Sequence, residues 1–560
     1  MRIAKVKISN FRSIRELEFE AQPQTVFIGP NNHGKSNILR ALEFALSPKY
    51  KPSEEDFFRR GNNIEKVMFV ELTFTHLTDQ ERKTFEKYLL DSDQSIRIRK
   101  IAQINNSAKI ETSYHGYVMG KDSSTPILEE GNLLGTKNVA AGILPDFYLI
   151  PAVKEVTDEL KIKTTTTLGK LLNLLLEEMV KEDPSFKEAK ERLEEAAEKL
   201  TLGGPSSPLE RVRKSLADEL SSWDVDVLIE IDAPSVEKLL ESGFDMKLDD
   251  GVPTSPERKG HGLQRALFFA LIRAWAKVSK QIGTHTEGKK PRRKSDTAVF
   301  AIEEPELYLH PQAQKKLAKL LRDIAELENH QVLLTTHSPH FVDLSNHRNI
   351  ILVSKPDLSA GTTVRQVAGD LFSGESIEDQ KKRFRLAHWI NPDRSEMFFA
   401  KKVVFVEGET EKVVFPYVAH KLGVYDPEIS IIDCGSKFNL PLYIEIANAF
   451  KLNYIVVHDE DPLPDPVPPD WSDDKLAQKR RTFELNEIIK SMIDQNLGSV
   501  EMLSPKIEEI IGVSHSQGEK KGKALAAIEK LETTETNKLP GRIIEVVRAI
   551  YEGGVQNEDT

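Results

Sequence analysis

The chain has 560 residues, of which 39% are hydrophobic and 29% are charged, and its formal net charge at pH 7 is -11. This balance excludes general disorder, and the length predicts two to four domains with separate cores. No stretch approaches the roughly 18 uninterrupted apolar residues of a membrane span, and the N-terminal segment contains no signal-peptide core, so we predict a cytoplasmic protein without a membrane partner. Any nucleic acid that binds this protein would have to contact local basic patches, because the chain as a whole is acidic. The single cysteine, Cys434, excludes disulfides and thiolate clusters, so metal ligands must be oxygen or imidazole groups.

Composition and periodicity divide the chain into five segments. Residues 1–155 alternate apolar and polar positions in short runs, which predicts strands around one early helix. Residues 156–222 are rich in Leu, Glu, Lys and Ala at helical spacing, which predicts a helical insertion whose apolar stripe packs either internally or against a second subunit. Residues 223–372 return to strands alternating with helices and complete an α/β domain. A polar connector, 373–395, then leads to a second α/β domain at 396–560.

A phosphate-binding loop follows an early buried-type strand. Residues 26–28 run directly into the octet GPNNHGKS and a helical segment, which is the strand, loop and helix context that a P-loop requires. Its backbone N–H groups turn toward the phosphates, Lys35 reaches the β and γ oxygens, and the Ser36 hydroxyl ligates Mg²⁺. The predicted ATP-binding residues of this loop are Gly29, Asn32, Gly34, Lys35 and Ser36.

A glycine-containing stretch, SPERKGHGLQR, opens a long apolar helix further along the chain. Such a helix start presents free N–H groups and the positive end of the helix dipole, which favours an anion. The alternative is a glycine-rich helix cap without a ligand. The candidate ATP-binding residues here are Gly260, Gly262 and Gln264.

Two later strand-like runs end in residues that suit ATP hydrolysis. The first ends in Glu303 and Glu304, and in this position one carboxylate holds Mg²⁺ through water while the next polarises the attacking water. The second ends just before His337, which either contacts the γ-phosphate or is a structural histidine.

Three strand-like runs in the last segment also end in acids. They end in Glu407, Asp433 and Asp459, with Glu411 one helical turn after the first and Asp461 two residues after the last. Ligands bind at the carboxyl ends of parallel strands, and clustered carboxylates need cations to offset their repulsion. All-oxygen ligation suits Mg²⁺ or Mn²⁺, and the alternative is a solvated acidic surface.

The order of these motifs resembles the ABC ATPases, and the phrase EEPELYLHP followed by TTHSP is particularly similar to the OLD-family nucleases and their RecF-like relatives. The spacing E-G-x-x-E, then D, then D-x-D resembles a Toprim domain, and its union with the ATPase is the layout of the OLD family, which includes the Gabija nucleases. The chain departs from many ABC ATPases in carrying Glu303 where they have Asp, and we locate no glutamine loop.

The resemblance implies an ABC-type ATPase in 1–155 and 223–372 and a Toprim nuclease domain in 396–560. Its activity would be ATP-regulated, divalent-metal-dependent DNA cleavage, with antiviral defence as its setting. A homodimer or larger homo-oligomer is implied, because the SPERKGHGLQR loop of an ABC ATPase completes the ATP site of a second subunit. A partner helicase or another defence protein is a further expectation.

Functional residues are carried over onto the matching positions. The implied ligands of a Toprim site with two Mg²⁺ or Mn²⁺ ions are Glu407, Glu411, Asp433, Asp459 and Asp461. Glu508 is a candidate ligand of the second metal. Lys523 is a candidate catalytic cation at the scissile phosphate, or else a solvated helix lysine. ATP with Mg²⁺ is the expected second cofactor.

Two other functions remain open at this point. The first is a RecF-like DNA-binding ATPase clamp with an inactive Toprim domain, and the second is a transporter ATPase, which leaves the acids unexplained. Contacts to the DNA backbone are expected from the basic runs at 289–294, 381–383 and 479–481, which alternatively are solvated surface.

Overall fold

The computed structural model describes most of the chain outside the predicted helical insertion. The described residues are 1–48, 50–61, 63–90, 94–120, 125–134, 143–152, 246–282, 297–327, 330–356, 360–367, 392–514 and 522–553, with positions 185, 188–189, 191–193, 195, 210–211, 214, 369, 371, 376 and 382. Most of the predicted insertion at 156–222, the basic run at 289–294 and most of the connector at 373–395 lie outside the described residues.

The described strands and helices are numbered here in chain order. The strands are β1 (Arg2–Phe11), β2 (Ile14–Glu20), β3 (Gln24–Ile28), β4 (Arg59–Arg60), β5 (Asn63–Ile64), β6 (Val67–Thr75), β7 (Leu89–Leu90), β8 (Ser95–Ile104), β9 (Ile110–Met119), β10 (Pro126–Leu128), β11 (Asp146–Ile150), β12 (Ala298–Glu303), β13 (His330–Thr335), β14 (Ile350–Ser354), β15 (Thr363–Gln366), β16 (Lys402–Val406), β17 (Ile429–Asp433), β18 (Tyr454–Asp459) and β19 (Gly498–Leu503). The α-helices are α1 (Lys35–Leu46), α2 (Asp79–Thr84), α3 (His261–Ile282), α4 (Pro311–Ala325), α5 (Pro392–Ser395), α6 (Glu409–Leu422), α7 (Leu440–Phe450), α8 (Asp473–Met492), α9 (Ile507–Ile511), α10 (Lys523–Thr533) and α11 (Gly541–Tyr551). Short 3-10 helices lie at Glu54–Asp56, Glu86–Tyr88, Pro256–Arg258, Pro339–Phe341, Leu344–Asn349, Glu396–Phe398, Lys437–Asn439 and Thr536–Lys538.

An antiparallel sheet accounts for the alternating pattern of the first segment. Its strand order is β10-β9-β8-β6-β1-β2, and β7 pairs with β8. In β8 the side chains of Ile96, Ile98 and Ala102 are buried, because residues two apart on a strand share one face. These side chains join a core that also includes Leu39 and Phe44 of α1.

A second sheet, with strand order β11-β12-β13-β3-β14-β15, positions the ATPase motifs. Strands β12, β13, β3 and β14 are parallel neighbours, and β15 is antiparallel to β14. All residues of β3, β12 and β13 are buried, as expected for a parallel sheet that is covered on both faces.

A buried glutamine joins the first two sheets. The Gln331 side chain of β13 accepts a hydrogen bond from the Ile3 backbone N–H at 3.1 Å and donates to the Ile3 carbonyl at 2.8 Å. Ile3 lies beyond the end of the pairing between β1 and β2, which reaches only to Lys5. The amide therefore satisfies backbone groups for which this sheet supplies no further strand.

The C-terminal sheet is fully parallel, with strand order β17-β16-β18-β19. Helices α6, α10 and α11 contribute buried side chains such as Val414, Ala527 and Val547 to a core with the apolar residues of these strands. The predicted α/β fold class, with a parallel sheet in the C-terminal segment, is confirmed.

The chain divides into two compact units. One comprises Met1–Leu149, Arg293–Glu306 and Leu321–Thr560, and contains the three large sheets. The other comprises Ile150–Arg292 and Leu307–Leu320, and its described part contains α3. None of the helices in the described ranges has the length and apolar character that crossing a membrane requires.

Candidate nucleotide site and acid site

The loop between β3 and α1 has the backbone conformation of a phosphate cradle. Gly29 has a φ of 145°, and a Cβ at this position would lie 2.1 Å from the Val353 carbonyl oxygen. Gly34, the N-cap of α1, has a φ of 97°, and a Cβ there would lie 2.1 Å from the Thr362 hydroxyl oxygen. Asn32 is also left-handed, with a φ of 63°. The two glycines are therefore required by close backbone approach as well as by backbone conformation.

The P-loop lysine is buried without a carboxylate within hydrogen-bonding distance among the described residues. Lys35 is 6% exposed, and its ammonium donates to the carbonyls of Gly29 at 2.8 Å and Pro30 at 2.9 Å. Burial lowers the pKa of Lys35 to about 8, although the charges of Glu304 and Glu306 act in the opposite direction. Ser36 follows it at the start of α1 and is exposed. An anion placed in this loop would therefore meet a partly desolvated ammonium.

Glu303, Glu304 and His337 lie at the same edge of the sheet as the P-loop. Glu303 of β12 pairs in register with Thr335 of β13, and Thr335 pairs with Phe27 of β3, so the three strands end side by side. Glu304 has a φ of 44°, and its carboxylate oxygen lies 4.0 Å from Nε2 of His337. Burial and the charge of Lys35 lower the pKa of His337, which favours its neutral form.

A residue that sequence reasoning missed organises the histidine loop. The Glu306 carboxylate is 8% exposed and accepts hydrogen bonds from the backbone N–H of His337 at 2.6 Å and from the Thr336 hydroxyl at 2.9 Å. Burial raises the pKa of Glu306. The only signal for Glu306 in the sequence is its place in the phrase EEPE, in which Glu303 and Glu304 account for the two predicted carboxylate roles.

A cavity of about 930 Å³ adjoins the P-loop and was also missed. Its lining includes Arg12, Ser13, Tyr50 and Lys355. Ser13 accepts a hydrogen bond from Asn37 of α1 at 2.8 Å, which ties the turn between β1 and β2 to the P-loop helix. The polar and aromatic lining lies in parts of the chain with no motif of their own.

The SPERKGHGLQR loop belongs to the second compact unit. Gln264 is 2% exposed and donates to the carbonyls of Lys259 at 2.8 Å and Glu257 at 3.3 Å, so its amide hydrogen-bonds within its own loop. A Cβ at Gly262 would lie 3.2 Å from the Tyr308 carbonyl oxygen, whereas a Cβ at Gly260 would meet no atom within 4 Å. Of the three candidates, Gly260 is thus the most open to a ligand.

The acid site lies at the carboxyl edge of the C-terminal sheet. Glu407 follows β16, which is flanked by β17 and β18, and Val406 pairs with Asp433 and with Val457. The Glu407 carboxylate accepts a hydrogen bond from the Asp459 backbone N–H at 2.8 Å. The Asp433 carboxylate accepts one from the Gly435 N–H at 2.6 Å, so it is already used in its own turn.

Three carboxyl groups of this site are held in unfavourable surroundings for a negative charge. Burial first, and the neighbouring acids second, raise the pKa of Glu407 to about 7 and that of Glu411 to about 8. Burial also raises the pKa of Asp459 to about 6, although the charge of Lys506 acts against this. A bound cation would relieve all three.

Asp461 differs from these three acids because two lysines face it. Lys506 Nζ lies 2.5 Å from one carboxylate oxygen, and Lys437 Nζ lies 3.5 Å from the other. Burial by itself acts to raise the pKa of Asp461, but the hydrogen bond and charge of Lys506 and the charge of Lys437 outweigh it and lower the pKa. Asp461 also has a left-handed backbone with a φ of 52°, which is uncommon outside glycine and typical of functional sites.

The two weaker sequence candidates contact each other. Lys523 Nζ, at the start of α10, lies 3.0 Å from the carboxylate of Glu508 in α9. The charge of Glu508 contributes to the raised pKa values of both Glu411 and Asp459, which places it beside the cluster. Neither Lys437 nor Lys506 was a sequence candidate, because no motif marks either of them.

The acid site is not a preformed metal cage. Within the described ranges, no three acidic, histidine or cysteine side chains lie close enough together to hold an ion. The all-oxygen donor set and the raised pKa values nevertheless fit a hard divalent cation. The lysines on Asp461 and Glu508 neutralise the two acids that lie at its margin.

Comparison with known families identifies both halves of the chain. The family model for an AAA ATPase domain matches residues 1–342, and the model for the TOPRIM domain of Overcoming lysogenization defect protein-like proteins matches residues 398–461. The chain belongs to the AAA ATPase domain family and carries an OLD-like TOPRIM domain. Domains of these two kinds generally use ATP with Mg²⁺ and a divalent metal, respectively.

Curated members of the OLD family match over most of their length. The Old nuclease of Escherichia phage P2 is 28% identical over 478 residues, covering 82% of this chain and 77% of that protein. The OLD nuclease of Thermus scotoductus is 24% identical over 573 residues and covers 98% of both chains. Endonuclease GajA of Bacillus cereus is 23% identical over 482 residues, covering 82% of this chain and 75% of that protein. The family resemblance predicted from the motifs is thereby confirmed.

Proposed function

We propose that this chain is an ATP-regulated, divalent-metal-dependent DNA endonuclease. The observation that carries the proposal is the cluster of the half-buried Glu407 with the buried Glu411 and Asp459, whose raised pKa values reflect an unmet need for positive charge. The names of the relatives, Old nuclease, OLD nuclease and Endonuclease GajA, support phosphodiester hydrolysis as the reaction. DNA is the substrate that these names favour over other phosphate esters.

The acids would hold two divalent ions, either Mg²⁺ or Mn²⁺. Glu407, Glu411 and Asp459 would hold the first, and Asp461 and Glu508 would join Asp459 for the second, with Asp433 supporting the edge of the site. When bound, two such ions supply an activated water and stabilise the leaving oxygen. Lys523 would place a positive charge at the scissile phosphate once it leaves Glu508.

The nucleotide site would bind ATP with Mg²⁺. Lys35 would leave the carbonyls of Gly29 and Pro30 for the phosphates, and Ser36 and Glu303 would hold the Mg²⁺. Glu304 would polarise the attacking water, with His337 at the γ-phosphate. The nucleoside would then extend toward the neighbouring cavity.

Three further proposals concern assembly and setting. The loop at Gly260 and Gly262 would complete the ATP site of a second copy, which makes a homodimer the smallest functional assembly. The basic run at 479–481 lies on α8 and would contact the DNA backbone, since the charge of Lys479 already acts on Asp461. Antiviral defence, with a helicase or another defence protein as partner, would be the setting.

The test is plasmid cleavage by charge-removing variants of similar shape. Glu407→Gln and Asp459→Asn should reduce nicking by several orders of magnitude with Mg²⁺ or Mn²⁺, because a divalent ion loses affinity and position without these charges. ATP turnover on the same preparations should stay at the wild-type rate. Both variants should melt at or above the wild-type temperature, because the raised pKa values mean that the fold tolerates the neutral carboxyls better than the charged ones.

Glu409→Gln is the matched control, since Glu409 is exposed and lies between Glu407 and Glu411 in the same turn. It should nick plasmid at the wild-type rate. Wild-type cleavage by both site variants would refute the assignment of the nuclease site. A wild-type protein that binds DNA with ATP but never cleaves it would instead support a RecF-like clamp.

A further inference from the structure

Two lysines approach Asp461 from surroundings of very different exposure. Lys437 is 2% exposed, and besides facing Asp461 it donates hydrogen bonds to the backbone carbonyls of Asp459 and Glu460. The Lys506 side chain is 38% exposed, and its one ion pair in the described part of the chain is with Asp461. Lys437 is thus fixed by several acceptors, whereas Lys506 is free to exchange its partner at small cost.

Lys506 lies close enough to the acid site for its charge to act on more than one acid. Its charge acts on Asp459 and Glu407 as well as on Asp461. It precedes α9, and the Ile507 N–H next to it lies 3.4 Å from the Asp459 carboxylate. The ammonium of Lys506 faces one carboxylate oxygen of Asp461 and that of Lys437 faces the other, so both oxygens already have a cation beside them.

Building on the proposed function, we infer that Lys506 is an exchangeable counter-cation. It holds Asp461 in the substrate-free protein, and it contacts a phosphate oxygen of the DNA when Asp461 serves as a metal ligand. An ammonium and a metal ion at the same carboxylate repel each other, so each lowers the affinity of the site for the other. Lysine suits such exchange, since its compact charge sits on four flexible methylene groups.

Lys523 does not fill the same place. Its side chain is 65% exposed and pairs with Glu508, and its charge is not among those that set the pKa of Glu407, Asp459 or Asp461. Lys437 cannot be the exchangeable cation because it is buried. If its ammonium moved away, it would lose three acceptors together: the Asp459 carbonyl, the Glu460 carbonyl and the Asp461 carboxylate. Of the three lysines, Lys506 is therefore the one that can exchange at Asp461.

The test compares metal affinity and cleavage in Lys506→Met, Lys506→Arg and wild type. Calorimetric titration with Mn²⁺, without ATP or DNA, should show about tenfold tighter binding to Lys506→Met, because a competing charge is gone. Plasmid cleavage at saturating Mn²⁺ should fall roughly 100-fold in kcat in the same variant, because a cation at the phosphate is lost. Lys506→Arg should return the Mn²⁺ affinity to the wild-type value and restore part of the cleavage rate.

Lys538→Met is the matched control, since Lys538 also pairs with a carboxylate, that of Glu535, but on an exposed surface. It should match wild type in both measurements. A residue that only supports the fold would weaken both metal binding and cleavage, so weaker or unchanged Mn²⁺ binding by Lys506→Met would overturn the inference. Unchanged cleavage by that variant would overturn the phosphate contact. A wild-type protein that never cleaves DNA would refute the proposed function instead, and the Mn²⁺ titration would still decide whether Lys506 competes with the metal.

Discussion

In the nucleotide site a buried ammonium, that of Lys35, is held by two backbone carbonyls, whereas in the acid site one half-buried and two buried carboxyls lie beside one another. Both sites lie at the carboxyl ends of parallel strands, and both keep a charge where burial disfavours it. The pKa of Lys35 is lowered to about 8, and those of Glu407 and Glu411 are raised to about 7 and about 8. The comparison teaches that each site is prepared for a ligand of opposite charge: an anion in the first and a cation in the second.

The two sites also share a backbone device. Glu304 at the end of β12 and Asp461 just after β18 both have left-handed backbones, with φ values of 44° and 52°. Such residues cost of order 1–3 kcal/mol each and persist where the surroundings fix them. In the first case the Thr335 carbonyl accepts from the Glu304 N–H at 2.9 Å, and in the second Lys506 and Lys437 hold the side chain. The strain aims an acid out of the sheet edge in each site.

The largest effect is expected from a substitution that disables the nucleotide site alone. Lys35→Ala should reduce ATP turnover to background and weaken ATP binding beyond detection by calorimetry, because the variant lacks the cation that faces the triphosphate. Mn²⁺ binding by the acid site should be unchanged. The fold should survive, since the ammonium is buried at a cost and has no carboxylate partner in the described structure. Lys5→Ala on the exposed face of β1 is the control, and normal ATP hydrolysis by Lys35→Ala would refute the P-loop assignment.

A smaller effect separates binding from hydrolysis within that site. Glu304→Gln should bind ATP as tightly as wild type but turn it over roughly 100-fold more slowly, because the amide keeps the shape and loses the carboxylate that polarises water. Phosphate release and calorimetry on one preparation measure both quantities. Retained turnover would move the role to another acid, with Glu306 as the nearest candidate by its hydrogen bonds to the histidine loop.

The smallest expected effect is a pH dependence of stability, which tests the raised pKa values of the acid site. Acids with folded-state pKa values of about 6 to about 8 bind protons that the unfolded chain has already released, so the metal-free fold should lose stability as the pH rises from about 4 to about 8. In EDTA, the melting temperature should fall by roughly 5 °C between about pH 5 and about pH 8. Excess Mn²⁺ should restore most of the lost melting temperature at the higher pH. Glu411→Gln should show a shallower pH dependence than wild type, and a metal-free stability that rises with pH over this range would contradict the raised pKa values.

Sequence reasoning predicted what is local in both sites. The P-loop, the acids after β12 and β16 and the histidine after β13 could be placed because each stands where a short apolar run ends, and burial of the whole run marks a parallel strand. The acids of β16 and β18 could be expected to meet because carboxyl ends of parallel strands share one edge.

What could not be predicted depends on pairs that are distant along the chain. Glu306 meets the histidine loop across 31 residues, and Lys437 meets Asp459 across 22, without a periodicity or spacing that marks either contact. Lys506 looks in the sequence like any surface lysine, and only its distance from Asp461 distinguishes it. Long charged side chains carry little positional information until the fold is known.

The strand order of the second sheet has a consequence for how the chain folds during synthesis. Strand β3, which leads into the P-loop, lies between β13 and β14, so both of its partners follow it by about 300 residues. At the usual roughly 5–20 residues per second, this gap corresponds to roughly 15–60 s of translation. The antiparallel sheet can pair as it emerges, because its strands are close neighbours in sequence, but its link to Gln331 must wait equally long. Until then β3 has two unpaired edges and an apolar surface, which are the features that expose a nascent domain to aggregation.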